Sequence, residues 1–151
     1  MSKNLIEIIN ITKDLQFKNL QEIDLNLNKI EDISFFKNLE IKELKTLLLG
    51  NNSIEDIKIF GNININKIEI LELNNNKILN ISALKKMNLK NLNTLDISHN
   101  YIKNIRPLEN LNSPRIRKIL INNNLILNNL QKTIDILANL RKKSIISFFY
   151  Q

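Results

Sequence analysis

The feature that most constrains this chain is a period. The stretch "LKTLLLGNNSIEDI" recurs in altered form as "LQEIDLNLNKIEDI", "IEILELNNNKILNI", "LNTLDISHNYIKNI" and the weaker "IRKILINNNLILNN". The five copies begin at residues 20, 44, 68, 92 and 116, each 24 after the last. They share L-x-x-L-x-L-x-x-N-x-I-x-x-I, where the leucines alternate with period two, as a short strand does. A unit this short cannot bury an apolar face by itself. Its neighbours must supply the other side, so the units stack into a continuous core.

The rest of the period carries a different spacing. Ile33, Ile57, Ile81 and Ile105 are followed three residues on by Phe36, Phe60, Leu84 and Leu108. Three further on stand Leu39, Ile63, Met87 and Leu111. Steps of three suit a 3₁₀ or short helical turn that packs on one side. On these residues the chain resembles the leucine-rich repeat proteins, over most of its length. The similarity is to the short-repeat class of the protein phosphatase 1 regulatory subunit and the A-prime protein of the spliceosomal branch-site particle. Repeats of that class are typically two residues shorter. The fold expected is an α/β leucine-rich repeat solenoid, with a parallel concave β-sheet, a 3₁₀ or short helical convex side and a 24-residue repeat. The resemblance implies a non-enzymatic protein-interaction module that binds through the concave strands.

Repeat position nine is Asn28, Asn52, Asn76, Asn100 and Asn124. An amide there has two donors and an acceptor for turn backbone groups that would otherwise be buried unpaired. The five are therefore read as a structural ladder. Counting back one period from Asn28 gives Asn4, with Ile6, Ile9, Leu15 and Phe17 at apolar positions, so the chain opens inside a repeat and lacks its strand. At the other end "NNLQKTIDILANL" has helical spacing, with Leu130, Ile134, Leu137 and Leu140 on one face, and "SIISFFY" reads as a last strand. The expected organisation is one domain over 1–151. Within it, 1–19 form an N-terminal half-repeat, 20–127 the repeats and 128–151 a C-terminal cap. Three arrangements suit the first sheet edge: the half-repeat folds over as a modest cap, the chain continues upstream, or two copies meet edge to edge. The first is the expectation and gives a monomer.

Side chains between the buried leucines point to the concave face. Position three supplies Glu22, Thr46, Ile70, Thr94 and Lys118, and position five Asp24, Leu48, Glu72, Asp96 and Leu120. Those ten hold four acids and one base although the whole chain carries +7. Glu72 and Asp96 are expected to face each other on adjacent strands, where like charges are mildly destabilising. One reading is that a solvated sheet tolerates the acids. Another is an acidic and apolar strip for a partner protein with a basic, partly apolar surface. A third is a metal site made of carboxylates alone. Phosphate binding on this face is disfavoured, because it needs Lys or Arg.

The positive charge lies elsewhere. Residues 1–112 carry 15 Lys and Arg against 14 Asp and Glu, whereas residues 113–151 carry 7 against 1. The clusters "RIRK" (115–118) and "RKK" (141–143) suit an RNA contact, a phospholipid contact or an import signal, or else plain solvated surface. The alternative function is accordingly an adaptor associated with RNA or ribonucleoprotein. Aromatic residues for base stacking are sparse beside both clusters.

Little else carries chemistry. With no Cys and one His, disulfides, thiolate sites and a His-based metal site are excluded or disfavoured, and no cofactor is expected. His99 lies near Ser98 and Asp96, but the chain has only two Gly and offers no glycine-rich elbow for a nucleophile. His99 is read as a loop residue. Glu7 and Asn10 interrupt any signal-peptide core, and no apolar run approaches the ~20 residues of a membrane span. The sequons at Asn10, Asn51 and Asn80 are within chance for so Asn-rich a chain. A cytoplasmic or nuclear protein is expected, with no membrane contact.

Overall fold

Alternating leucines become strands at each period. The computed structural model describes residues 5–9, 11, 15–109, 111–126, 130–142 and 145–147. Its elements are β1 (Leu15–Gln16), β2 (Glu22–Asp24), β3 (Leu39–Glu40), β4 (Thr46–Leu48), β5 (Ile70–Glu72), β6 (Thr94–Asp96), β7 (Lys118–Leu120), α1 (Leu130–Arg141) and β8 (Ile145–Ser147). Six strands form one parallel sheet in the order β2-β4-β5-β6-β7-β8. From β2 to β7 each residue pairs with the one 24 further on: Ile23 with Leu47, then Leu71, Leu95 and Ile119. The architecture is an α/β leucine-rich repeat solenoid.

The core lies behind the sheet. Leu44, Leu47 and Leu49 are wholly buried, as are their equivalents Ile68, Leu71 and Leu73. Each such side chain contributes roughly 1.5–3 kcal/mol relative to exposure. The convex layer is made by 3₁₀ turns at Ser34–Asn38, Lys58–Gly61, Ser82–Lys85 and Arg106–Leu108, each following a buried Ile. Phe36, Phe60, Leu84 and Leu108 plug the space between these turns and the sheet. Phe36 meets Phe60 edge-on at 5.8 Å between ring centres.

Two rows were not anticipated from the apolar pattern. Ile41, Ile65 and Leu89, three residues before each strand's first buried leucine, complete the core. Ser113 takes their place in the next coil, buried, with its Oγ within hydrogen-bond reach of the Leu89 and Leu92 carbonyls at 2.8 and 2.9 Å. A second row opens the 3₁₀ turns. Asp32, Asp56, Asn80 and Asn104 each accept, through Oδ1, the backbone N–H two residues on, at 2.7–2.9 Å. These bonds are the first cause that holds the Asp32 and Asp56 carboxyls below the usual range.

The ends depart from expectation in three ways. In the first coil the convex side is extended as well as 3₁₀, since β1 pairs in parallel with β3, Leu15 beside Leu39. Helix α1 turns a different face inward: Thr133, Ile136, Leu137 and Leu140 are buried, while Ile134 is 45% exposed. The apolar spacing at 130, 134, 137 and 140 describes a helix but misplaces its buried stripe by a quarter turn or so. Ile6 and Phe17, expected to cover the first coil, stay more than a third exposed. Strand β8 pairs with β7, Ile146 beside Ile119. Asn4, Asn10, Lys143 and Phe148 to Tyr150, which entered the sequence expectations, lie outside the described residues. Among those described, no helix is long and apolar enough to cross a membrane.

Candidate functional site

The concave face is the outer surface of the sheet. In β2, β4, β5, β6 and β7 the middle residue points inward, and its two neighbours point out. One row therefore runs Glu22, Thr46, Ile70, Thr94 and Lys118. The other runs Asp24, Leu48, Glu72, Asp96 and Leu120, each beside the next in register. Glu22, Asp24 and Lys118 are exposed, and the other seven are half-buried by their neighbours.

Glu72 and Asp96 occupy paired positions on β5 and β6, where neighbouring strands lie ~4.8 Å apart. The Glu72 carboxyl is pushed above its ordinary range. Desolvation comes first, the Asp96 charge second, Lys118 opposes, and Asp24 adds to the rise. The acids are not equivalent. Asp24 Oδ1 accepts the Asn26 N–H at 2.9 Å. Asp96 Oδ1 accepts the Ser98 N–H at 3.0 Å and the Ser98 hydroxyl at 2.6 Å. Both aspartates thus close the turn that leaves their strand. Glu72, one methylene longer, makes no hydrogen bond or ion pair with a described residue, and no contribution to the fold explains it.

Behind this face stands the asparagine row. In each coil from Asn52 to Asn124 the amide nitrogen donates to a carbonyl of its own coil and to one of the coil before. For Asn76 these are Leu73 at 3.1 Å and Leu49 at 2.9 Å. Oδ1 in turn accepts a backbone N–H from the preceding coil: Ile6, Ile30, Ile54, Ile78 and Ile102 for Asn28, Asn52, Asn76, Asn100 and Asn124. One side chain therefore ties two coils together. A missed row accompanies it. Leu27, Asn51, Asn75, His99 and Asn123 all have positive φ, between 52 and 58°. Asn tolerates that region and most residues do not, so three Asn at one repeat position were the available signal.

The catalytic alternative dissolves in this geometry. Asp96 is engaged by Ser98, and His99 points away on the exposed turn, where the Asn123 amide nitrogen lies 3.0 and 3.1 Å from its two ring nitrogens. At the opposite rim, Arg115, Arg117 and Lys118 are exposed while Ile116 is buried. Arg115 and Arg117 line a cleft of about 580 Å³ together with Glu69, Asn91 and Asn93. Among the described residues, no group of three or more His, Cys, Asp or Glu is placed to hold a metal ion.

The chain matches no protein-family model and no curated protein. Solved structures do resemble it. An internalin, InlF, from Listeria monocytogenes superposes with a TM-score of 0.62 at 26% identity over 87% of this chain. The chain spans 43% of that protein's length. Internalin C2 of the same organism gives 0.46 at 22% identity, covering 91% of this chain and 77% of that one.

Proposed function

We propose that this chain is a protein-interaction module whose concave sheet binds a partner protein with a basic and partly apolar surface. One observation carries the reading. Glu72 lies half-buried beside Asp96, its carboxyl bonded to no described residue, at a cost to the fold, in a strip with Leu48, Ile70 and Leu120. A partner's Lys or Arg set against that pair would relieve the repulsion and bury the apolar neighbours together. Stacked coils of this kind present an extended concave surface suited to such a contact. The solved internalin supports the leucine-rich repeat coil, and an interaction module is what the resemblance to leucine-rich repeat proteins implies. The proposal takes the interaction module from them and no particular partner.

The test is capture from the native cell on immobilised protein, compared with the double variant Glu72→Lys, Asp96→Lys. Both side chains sit on the sheet surface, so the variant folds, as circular dichroism will show. The expected outcome is a basic protein retained by the wild type and lost by the variant. A partner held equally by both refutes the reading. A second reading, RNA contact at the rim, is supported by Arg115 and Arg117 lining one cleft with two Asn amides. Salt separates the two, because phosphate contacts lose affinity steeply and linearly in log salt.

A further inference from the structure

On the flank where the chain runs from the sheet to the convex turns, polar residues give way to apolar ones in the later coils. Leu79, Tyr101 and Leu125 are 52, 48 and 51% exposed. They are neighbours. The Tyr101 N–H donates to the Ile78 carbonyl at 3.0 Å, which in a parallel ladder sets Tyr101 beside Leu79. Leu125 holds the repeat position of Tyr101 one coil on, where the coils are joined next door by the Asn100 N–H donating to the Asn123 carbonyl at 3.2 Å. In the earlier coils Glu31 and Glu55 stand where Leu79 stands.

This patch borders a basic cleft. Between the fourth 3₁₀ turn and α1 lies a hollow of about 290 Å³, walled by Lys103, Arg106 and Lys132 over a floor of Ile105 and Ile136. Lys132 reaches Glu109 at 3.9 Å, with both half-exposed. No ion pair with a described residue engages Lys103 or Arg106.

We propose that this flank is a second docking surface, and that its occupant is an acidic protein segment with interspersed apolar side chains. A carboxylate enters the Lys103, Arg106 and Lys132 cleft, while apolar residues cover Leu79, Tyr101 and Leu125. Charge complementarity selects the occupant. A nucleic acid fits less well, because two of the three apolar residues are aliphatic and do not stack on bases. A bilayer fits less well because the cations line a hollow instead of ringing the apolar side chains on a flat surface. The surface is distinct from the concave strip and opposite to it in sign.

The experiment is fluorescence anisotropy with four probes. They are a labelled short peptide alternating Glu and Leu, an all-Glu peptide of the same length, oligo-uridylate, and vesicles of equal parts phosphatidylcholine and phosphatidylserine. The expected result is saturable binding of the Glu/Leu peptide and weaker binding of the other three. Leu79→Ser with Tyr101→Ser, and separately Lys103→Glu with Arg106→Glu, should each weaken the peptide by at least about tenfold, or about 1.4 kcal/mol. Glu72→Lys and Arg115→Glu should leave it unchanged. The second pair keeps the test valid if the first unfolds, since its side chains are charged and exposed. No peptide binding, binding that survives the flank variants, or tighter binding of vesicles or uridylate each overturn the proposal.

Discussion

Replacing Asn76 by alanine isolates what one rung of the asparagine ladder contributes. Asn76 is 6% exposed. Its amide nitrogen has two hydrogens shared among three carbonyls, and each carbonyl keeps another donor when the amide is gone. Leu49 retains Asn52 Nδ2 at 3.1 Å, Leu73 retains Asn100 Nδ2 at 2.9 Å, and Asn74 retains the Asn51 N–H at 2.9 Å. The group left without a partner is the Ile54 N–H, which Oδ1 accepts at 2.9 Å inside the core. An orphaned buried donor costs about 1–3 kcal/mol, and the two amide donations lost add about 1 kcal/mol each. The sum is about 4 kcal/mol. At about 2–4 °C per kcal/mol for a chain of this size, the melting temperature should fall by about 10 °C.

The control is the first rung. Asn28 is half-buried, and its Oδ1 accepts the Ile6 N–H at 3.2 Å in an exposed contact that water can replace. Asn28→Ala loses the amide donations to the Leu25 and Asn26 carbonyls but orphans no buried donor, and should therefore cost about 2 kcal/mol. Amide exchange gives a second readout, because Ile54 should lose protection in Asn76→Ala beyond that of its neighbours. Equal losses for the two variants, or an Ile54 amide protected as before, would show that the ladder's strength does not reside in the orphaned donor.

Leu27 holds φ 58° with its side chain 46% exposed, where left-handed backbone costs an ordinary residue roughly 1–2 kcal/mol. Leu27→Asn, the residue three other coils use there, should raise the melting temperature by about 2–4 °C, and an unchanged or lower value contradicts the strain. A methyl on Gly50 would lie 2.5 Å from Asn74 Oδ1 and 3.0 Å from Asn26 Oδ1; Asn26 is fixed by accepting the Gly50 N–H at 2.6 Å, whereas Asn74 makes no side-chain bond to a described residue. Gly50→Ala should thus destabilise by about 1 kcal/mol, and Asn74→Ala should recover most of it in a double-mutant cycle, while additive losses would place the clash elsewhere. Glu72 has a raised native pKa, so the native state holds its proton more tightly than the unfolded state, and stability falls as pH rises through the native value. Glu72→Gln should be more stable than wild type at pH 7, with the gap closing below the ordinary glutamate range. A gap that persists in acid would assign the effect to something other than charge.

The sheet was readable because a period of two inside a period of 24 leaves one consistent packing. One coil alone cannot bury Leu44, Leu47 and Leu49, so the coils on either side must complete their packing. The concave rows followed from the same alternation. What stayed hidden depended on backbone conformation. The turn-opening row Asp32, Asp56, Asn80 and Asn104 mixes two residue types at an exposed position, so it leaves no trace in an apolar pattern. The positive-φ row carries Leu27 and His99 among its Asn, which blurs it. For α1, Leu130, Ile134, Leu137 and Leu140 versus Thr133, Ile136, Leu137 and Leu140 is a choice of rotation. Helical spacing leaves that choice open, and contact with the last coils decides it. The flank patch was legible in principle, since Leu79, Tyr101 and Leu125 stand where earlier coils carry Glu, Lys or Ser.

The concave acids show how fold and function separate in a repeat. Each coil imposes the same demand on its inward positions, and those positions are nearly uniform. Outward positions face no such demand, so departures there from what the sheet favours need another cause. Asp24 and Asp96 have one, because each closes its own turn by accepting an N–H two residues on. Leu48 shows that a coil can do without, since Asn26 from the preceding coil serves the Gly50 N–H instead. Glu72 has no turn to close, and the opposing Lys118 charge is outweighed by burial and by the charges of Asp96 and Asp24, which raise its proton affinity. Threonine or leucine, used at other outward positions, would remove the repulsion. A side chain that the fold would do better without, held at the middle of the sheet, is the place where the proposed partner's cation would be set.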